Sequence, residues 1–531
     1  MISQTTTQSG DRIIICLLLA AALVLFCVDL GGVPLRDWDE GTVAQVAREM
    51  SQSETWTGWL HPQLWGQPYL NKPPLLHGLM ALAFQNLGVH TWTARLPGAV
   101  LTALSVPLLF MLGREVFPTR PPALIGTLVY LTFLPMVRHG RLAMLDGAMV
   151  CFFIALLWML MKARRNSLWY LGVGLGFALM CLTKGILGIL LLAIALLFVA
   201  WDDPKQLFAS QLWGGLLLGS VPVLGWYGVQ WQQYGQQFIS TTVFAQSAER
   251  IWGTVERNEG PPWYYLLELL KYVWPWLIFW PIGMRLTWQS RRHTWAKLIL
   301  VWTVCYLGTI SVMGTKLPWY VLPLYPAIAL TAGIGLTAAW NKHRSWNGRS
   351  LSVRRLPILW SVLLGLLSIV GAVGIVYSNP WGEVASPALM LAFLSIMVAT
   401  GAAAVFIARQ QTRFVPTLIA GFYFALLGFV ISDYWVWELG EDFPVLPVAE
   451  LIQAQTPAGQ VIYSDHDHER PSLSFYSDRR VQALPVEDLQ QEWQKAQPMY
   501  LLVQSPEPYQ TTQPQAVKLG EVEGWSLISH P

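Results

Sequence analysis

Asp39 and Glu40 form an adjacent acid pair about ten residues beyond the first long apolar run, in the segment Arg36-Asp37-Trp38-Asp39-Glu40-Gly41-Thr42. A carboxylate at a bilayer surface can accept a proton from an attacking hydroxyl. Partial burial raises its pKa, and a neighbouring cation lowers it again. Asp39 also precedes a stretch at helical spacing, so a capping role accounts for it too. Asp146, which ends the run Arg138-His139-Gly140-Arg141-Leu142-Ala143-Met144-Leu145-Asp146, can likewise cap a helix or pair with Arg138 or Arg141. Four cations stand apart in the sequence: Lys72 in Asn71-Lys72-Pro73-Pro74, Lys184 in Thr183-Lys184-Gly185, Arg250, and Lys316 in Lys316-Leu317-Pro318-Trp319-Tyr320. Each alone reads as an anchor that extends its charge toward lipid headgroups. As a set beside carboxylates they suit a lipid-borne phosphate, whose release as a leaving group needs positive charge.

The elements that must position these residues are membrane spans. The chain is 54% hydrophobic and only 12% charged, about half the charge of a soluble globular protein. Apolar runs near the ~20 residues needed to cross a bilayer recur along most of the length. About thirteen are expected, near 13–30, 96–112, 121–137, 147–161, 168–183, 186–200, 211–229, 263–283, 298–313, 319–338, 357–377, 387–408 and 414–432. The first has Arg12 before it but no clear small-residue cleavage site after it, and reads as a retained span. A net charge of +3, with the basic residues in short loops, gives no reason to expect nucleic acid. The cysteines Cys16, Cys27, Cys151, Cys181 and Cys305 fall in or beside apolar runs, with no metal or disulfide spacing.

Orientation follows from the basic loops. Arg114 and Arg120; Lys162, Arg164 and Arg165; Lys205; Arg285, Arg291, Arg292 and Lys297; Lys342, Arg344, Arg349, Arg354 and Arg355; and Arg409 and Arg413 occupy alternate loops, which belong in the cytoplasm. The opposite face then receives residues 31–95, Asp146, the Lys184 and Lys316 turns, residues 230–262 and the tail. Within 31–95, Val43, Val46, Ala47 and Met50 recur as in a helix lying along the membrane surface, and 230–262 is similar. From 433 the composition becomes soluble. Strands near 460–464 and 499–503 and helices near 473–476 and 486–493 predict a small outer-face α/β domain over 433–531, following a transmembrane domain over 1–432.

In this order the motifs resemble those of membrane glycosyltransferases of the GT-C type, in the group of the lipid A aminoarabinose transferases and the protein O-mannosyltransferases. The resemblance rests on Asp39 to Met50, Asn71 to Leu75, Asp146 after its arginines, Leu182 to Gly185, Glu249-Arg250 with Gly260 to Tyr265, and Lys316 to Pro323. Ser472-Leu473-Ser474-Phe475-Tyr476 also resembles a stretch in the terminal domain of such enzymes. The resemblance implies sugar transfer from a polyprenyl-phosphate donor to a lipid, glycan or protein acceptor at the outer face of the plasma membrane. Asp39, Glu40 and Asp146 would be the catalytic and substrate-positioning carboxylates. Lys72, Arg250 and Lys184 would lie near the carrier phosphate, and the Lys316–Tyr320 turn would contribute to substrate binding. The expected fold class is therefore a polytopic α-helical membrane protein of GT-C type, with interfacial helices and a small C-terminal α/β domain.

One departure bears on cofactors. Aminoarabinose transferases can place a Glu before the motif lysine and a His before the motif arginine, where they could hold a divalent metal. Asn71 and Ser247 stand there, so neither metal nor other cofactor is expected. His466-Asp467-His468-Glu469 has metal-capable side chains but reads as a solvated loop. The competing class is a lipid-linked-sugar transporter or flippase, which calls for ionisable residues deep in spans and two related halves of broken helices. Here the distinctive charges gather on one face and no half repeats the other. A structural assembly factor docking through its tail would leave the carboxylate and cation set unexplained.

Overall fold

In hydrocarbon every backbone polar group must be bonded within its own segment, so the apolar runs become helices. The computed structural model describes residues 2–254, 258–341, 355–379, 385–436, 444–466, 468–494, 499–512 and 515–530. Lys342, Arg344, Arg349, Arg354, Asp467 and the side chain of Ser247 lie outside the described residues. Among the described residues nine helices are long and apolar enough to cross a membrane: Gly10–Cys27, Thr91–Val116, Asp146–Ala163, Ser210–Trp252, Thr294–Val312, Pro318–Trp340, Ile358–Tyr377, Pro387–Ala408 and Phe414–Ile431. Arg120–Leu131 and Leu134–Arg141, bent by 58°, make a tenth if counted together.

By length and composition alone the described residues thus give nine or ten spans, against the thirteen expected. Trp169–Lys184 and Ile186–Asp202 are separate helices of 16 and 17 residues, and the chain reverses between them at Gly185, whose φ is +51°. Residues 263–283 break into Tyr264–Tyr272, a 3-10 turn Trp276–Ile278 and Trp280–Gln289. Pro275 and Pro281 fall at those breaks, where a ring in place of an N–H interrupts the helical ladder. Hydropathy records how apolar a run is, but not where its helix stops.

The Pro318–Trp340 span is enclosed by its neighbours and Asp146–Ala163 is mostly buried, so these two occupy the centre of the bundle. The last three spans are largely exposed, as lipid-facing helices should be. Helices without a strong hydrophobic drive to associate in lipid depend on close backbone approach. Gly215 and Gly219, one turn apart, meet Trp169–Lys184 in this way. A Cβ on Gly215 would stand 2.1 Å from the Tyr170 carbonyl oxygen, and one on Gly219 2.1 Å from that of Gly174. At one end of the bundle the basic loops are joined by ion pairs: Arg114 (3.0 Å) and Arg120 (2.8 Å) to Asp11, Arg164 (2.8 Å) and Lys297 (3.1 Å) to Asp202, and Arg165 (3.1 Å) to Glu115.

Residues 31–95 pack at the opposite end. The helix Asp39–Gln52 is wedged between two hydrophobic layers rather than lying on the surface. Val43, Ala44 and Ala47 join the bundle core, whereas Val46 and Met50 pack with Tyr69 and Ala81. A short hairpin of β1 (Gln63–Leu64) and β2 (Gln67–Pro68) leads to the apolar helix Leu75–Leu87. The segment 230–262 differs from the separate surface helix expected. The helix from Ser210 continues through a kink at Gly235 (φ +53°) into a π-helical stretch, Ile239–Ala248, and a last turn, Glu249–Trp252.

The C-terminal domain holds β3 (Val461–Ser464), β4 (Arg480–Ala483), β5 (Met499–Val503), β6 (Val517–Val522) and β7 (Trp525–His530) in the order β4-β3-β5-β7-β6. β3 runs parallel to β4 and β5, and β7 runs antiparallel to β5 and β6. The pleat sends Ile462, Leu502 and Leu527 to one face, with Val445, Val448 and Ile452 of the helix Val445–Gln455. Leu501 and Ile528 go to the other, with Leu489 and Trp493. β4, β6 and β7 were not expected from the sequence, because their charged and small residues break the apolar alternation. The domain's helix Pro471–Ser477 rests on the first half of Asp39–Gln52.

Gly219→Leu is expected to force that helix pair apart and cost at least ~1–3 kcal/mol, as overpacking does. A thermal unfolding scan in detergent checks this against Gly225→Leu, a position with open space around it, which should leave the transition in place.

Candidate active site

Glu40, the second residue of the helix Asp39–Gln52, is wholly buried. It meets Arg95, on Thr91–Val116, in a two-pronged pair: Nε donates to Oε1 at 2.8 Å and Nη2 to Oε2 at 2.7 Å. Arg95 uses its remaining N–H groups on the carbonyls of Leu30 (2.8 Å), Val33 (2.7 Å) and Pro34 (2.9 Å). Glu40 also accepts from the backbone N–H of Arg36 at 3.0 Å and of Ala143 at 2.7 Å. Burial alone would raise this carboxyl, but Arg95 and the two backbone donors hold it below its ordinary value. Every polar atom of the pair is thus engaged within the protein. Glu40 ties together the 30–36 loop, the acid-pair helix, a central span and the turn that leads to Asp146.

Asp39 has the opposite surroundings. Its side chain keeps 23% of its surface accessible and stands 3.6 Å from the guanidinium of Arg36. Its Oδ2 accepts no hydrogen bond among the described residues. Burial pushes its pKa up to about 6, with Arg36 opposing and the nearby Asp146 reinforcing the shift, and Lys184 again opposing. Asp146 opens its span and accepts from Lys184, at the end of the next helix, at 2.7 Å. The Lys184 ammonium lies 5.8 Å from the ring centre of Tyr320, and the Tyr320 hydroxyl lies 3.2 Å from Nη1 of Arg250. Tyr306 donates to the backbone carbonyl of Tyr320 at 2.8 Å, fixing the bridge between the two cations. Nε of Arg250 is buried without a hydrogen-bond partner among the described residues.

Lys72 joins this network from the other side. Its ammonium donates to Gln246 at 2.7 Å, one helical turn before Arg250, and Thr242 of the same segment donates to the carbonyl of Leu70 at 2.6 Å. Tyr69 is buried close enough to feel the charge of Arg250. Asp146, Lys184, Tyr320 and Arg250 are therefore linked contact by contact, with Asp39 within electrostatic reach of Asp146 and Lys184 and Lys72 held one helical turn from Arg250 through Gln246.

Lys316 stands outside the series. Its ammonium donates to the carbonyls of Ile310 (2.9 Å) and Ser311 (2.7 Å) and lies against the ring of Tyr265. It closes the end of Thr294–Val312, where unpaired carbonyls favour a cation. The same turn supports Arg250 through its backbone, with Gly314 and Thr315 N–H donating to the carbonyls of Ile251 (2.8 Å) and Arg250 (3.2 Å). Among the described residues no three His, Cys, Asp or Glu side chains cluster as metal ligands do. Sequence reasoning did not single out Arg95, Asp37 or Tyr69. Arg95 reads as an anchor at a span end, and nothing in the chain marks Glu40, 55 positions earlier, as its partner.

Known proteins resemble this chain in sequence and in fold. Residues 71–226 match the dolichyl-phosphate-mannose-protein mannosyltransferase family. The chain is 27% identical over 391 residues to an undecaprenyl phosphate-alpha-4-amino-4-deoxy-L-arabinose arabinosyl transferase of Pseudomonas fluorescens, covering 72% of this chain and 69% of that one. It is 28% identical over 339 residues to the corresponding transferase of Pectobacterium carotovorum, covering 60% and 57%. The crystal structure of ArnT from Cupriavidus metallidurans bound to undecaprenyl phosphate superposes with a TM-score of 0.75 over 97% of both chains, at 19% identity. In fold, and over residues 71–226 in sequence, the chain resembles membrane glycosyltransferases of the GT-C type. Within that class the chain resembles the aminoarabinose transferases.

Removing one partner of a buried pair leaves the other charge unpaired, at about 3–5 kcal/mol. Glu40→Gln is expected to lose stability on that scale, and Arg95→Met at least as much, since three loop carbonyls are stranded with Glu40. The Glu40 carboxyl lies below its ordinary 4.5 when folded, so its contribution is complete above that pH and is lost as pH falls through the lower value. Thermal scans of both variants at neutral pH, and of the parent down an acid series, check this.

Proposed function

We propose that this glycosyltransferase moves a sugar from a polyprenyl-phosphate carrier to a lipid, glycan or protein acceptor at the extracytoplasmic face of the plasma membrane. The observation that carries the reading is the chain of contacts from Asp146 through Lys184 and Tyr320 to Arg250, with Asp39, a carboxylate with an unbonded oxygen, near one end and Arg250, a guanidinium with an unmade bond, at the other. Asp39 takes the proton of the acceptor hydroxyl as its oxygen attacks the anomeric carbon. The bond from that carbon to the carrier phosphate breaks, and the phosphate leaves with the electron pair. Lys72 and Arg250 stabilise the charge that develops on it. Lys184 holds Asp146 and, through Tyr320, adjoins Arg250, while Glu40 fixes the turn that carries Asp39. The Lys316 turn supports Arg250 from behind.

The names of the curated relatives and the undecaprenyl phosphate in the solved relative support the donor class. The basic loops at the far end of the bundle support placing the site and the C-terminal domain outside the cytoplasm. The two short helices and the broken segment 263–283 are assigned to membrane level as well, which brings the helices there to thirteen.

Asp39→Asn keeps shape and capping ability but removes the base, and is expected to lower kcat by about 10²- to 10⁴-fold while folding normally. In the parent, kcat/KM should fall as pH drops through about 6, because protonation of Asp39 removes the base. Lys72→Ala and Arg250→Ala should each cost about 10²- to 10³-fold in turnover. The assay measures transfer from the lipid-linked sugar donor extracted from the producing membranes. Parental rates in all three variants would remove these residues from the mechanism.

A further inference from the structure

Asp37 is buried two positions before the reactive carboxylate, and it faces the C-terminal domain. That domain supplies donors to both oxygens of its carboxylate. Arg470 donates to Oδ2 at 2.9 Å, and Ser472 donates to Oδ1 from its hydroxyl at 2.5 Å and its backbone N–H at 3.3 Å. Asp37 thereby caps the helix Pro471–Ser477 from outside the domain, satisfying an N–H that a helix start leaves open.

The surrounding contacts close the same joint. A Cβ on Gly41 would stand 2.6 Å from the backbone nitrogen of Ser472, so the two backbones meet where only glycine fits. The Tyr476 hydroxyl accepts from the N–H of Leu35 at 2.9 Å and bonds Thr91 at 2.8 Å. Arg48 reaches the carbonyl of Phe475 and the carboxylate of Asp478. Phe475 is buried with the bundle core, and the rings of Trp38 and His468 lie 5.6 Å apart on either side of the joint. The turn 36–41 is thus held from below by Glu40 and from above by the C-terminal domain.

We propose that Asp37, Arg470 and Ser472 form a latch through which the C-terminal domain positions Asp39, making that domain a working part of the transferase. The inference rests on Asp39 being the reactive carboxylate. The three are positioning residues, acting through the backbone of the turn. Opening the latch lets Asp39 turn away from Asp146 and Lys184 and toward water, while Arg36 and Glu40 of its own segment stay beside it.

The test uses the full chain in detergent with the extracted lipid-linked donor, and compares Ser472→Ala, Arg470→Ala, Arg470→Lys and Gly41→Ala. Gly41→Ala leaves every polar group intact and wedges the two backbones apart. The expected result is a kcat lower by about 10- to 100-fold, the scale of a small misplacement, with donor KM within about twofold. Arg470→Lys should recover part of the loss. The acid limb of kcat/KM should move below about 6 as Asp39 gains water. A domain that only stabilises the fold would lower kcat in step with the melting temperature and leave the limb in place, which overturns the latch. Parental kcat in both Ser472→Ala and Gly41→Ala, with Asp39→Asn inactive, overturns it as well. A parental rate in Asp39→Asn overturns the role of Asp39 itself, and the latch with it.

Discussion

Taking a carboxylate and a guanidinium out of water costs several kcal/mol per ion unless their hydrogen bonds are replaced within the protein. Glu40 and Arg95 meet that demand together, and much of the site follows from how they do so. Arg95 needs acceptors beyond Glu40, which draws the carbonyls of Leu30, Val33 and Pro34 around it. Glu40 needs donors beyond Arg95, which draws in the N–H groups of Arg36 and Ala143. The loop after the first span cannot wander, because its backbone completes the solvation of the pair. The turn that leads to Asp146 is held by the same carboxylate, so both ends of the acidic centre share one anchor.

The cations are arranged by a different rule. Lys184 and Lys316 are both lysines at the ends of apolar helices, yet they serve opposite purposes. Lys184 extends to Asp146 and the face of Tyr320, whereas Lys316 turns back onto the carbonyls of its own preceding helix. Burial lowers the pKa of Lys316, and the two carbonyls and the Tyr265 ring are what solvate its charge. Its turn then supports Arg250 by backbone hydrogen bonds, so it serves the site without facing the network.

Much of this was legible in the sequence because hydropathy, charge bias and motif order are local properties. The full spans, the acid pair, Asp146, Lys184, Arg250 and the C-terminal strands β3 and β5 could all be read that way. The internal breaks of residues 263–283 could not, since Pro275 and Pro281 interrupt a run that is mostly apolar. The Arg95 partnership and the Asp37 contacts with Arg470 and Ser472 were also out of reach. Each joins residues far apart in the chain, and a buried ion pair leaves no periodicity in either segment. Lys316 looked equivalent to Lys184 because both follow an apolar run, and only the fold shows which way each ammonium points.

Asp39 and Glu40 are consecutive residues of the same charge, and their environments push them in opposite directions. Glu40 meets a complete set of donors and is held below its ordinary pKa. Asp39 has an ion pair at 3.6 Å and the more distant charge of Lys184 to offset its burial, which raises it to about 6. A carboxylate that is fully bonded has no lone pair to offer an acceptor proton. One that is half-bonded and poised near neutrality does, and it returns that proton to water readily. Separating two adjacent acids in this way suits the proposed division, in which one holds the turn and the other reacts. The helix start that joins them makes the division possible, because consecutive side chains on a helix diverge by about 100° and so enter different surroundings.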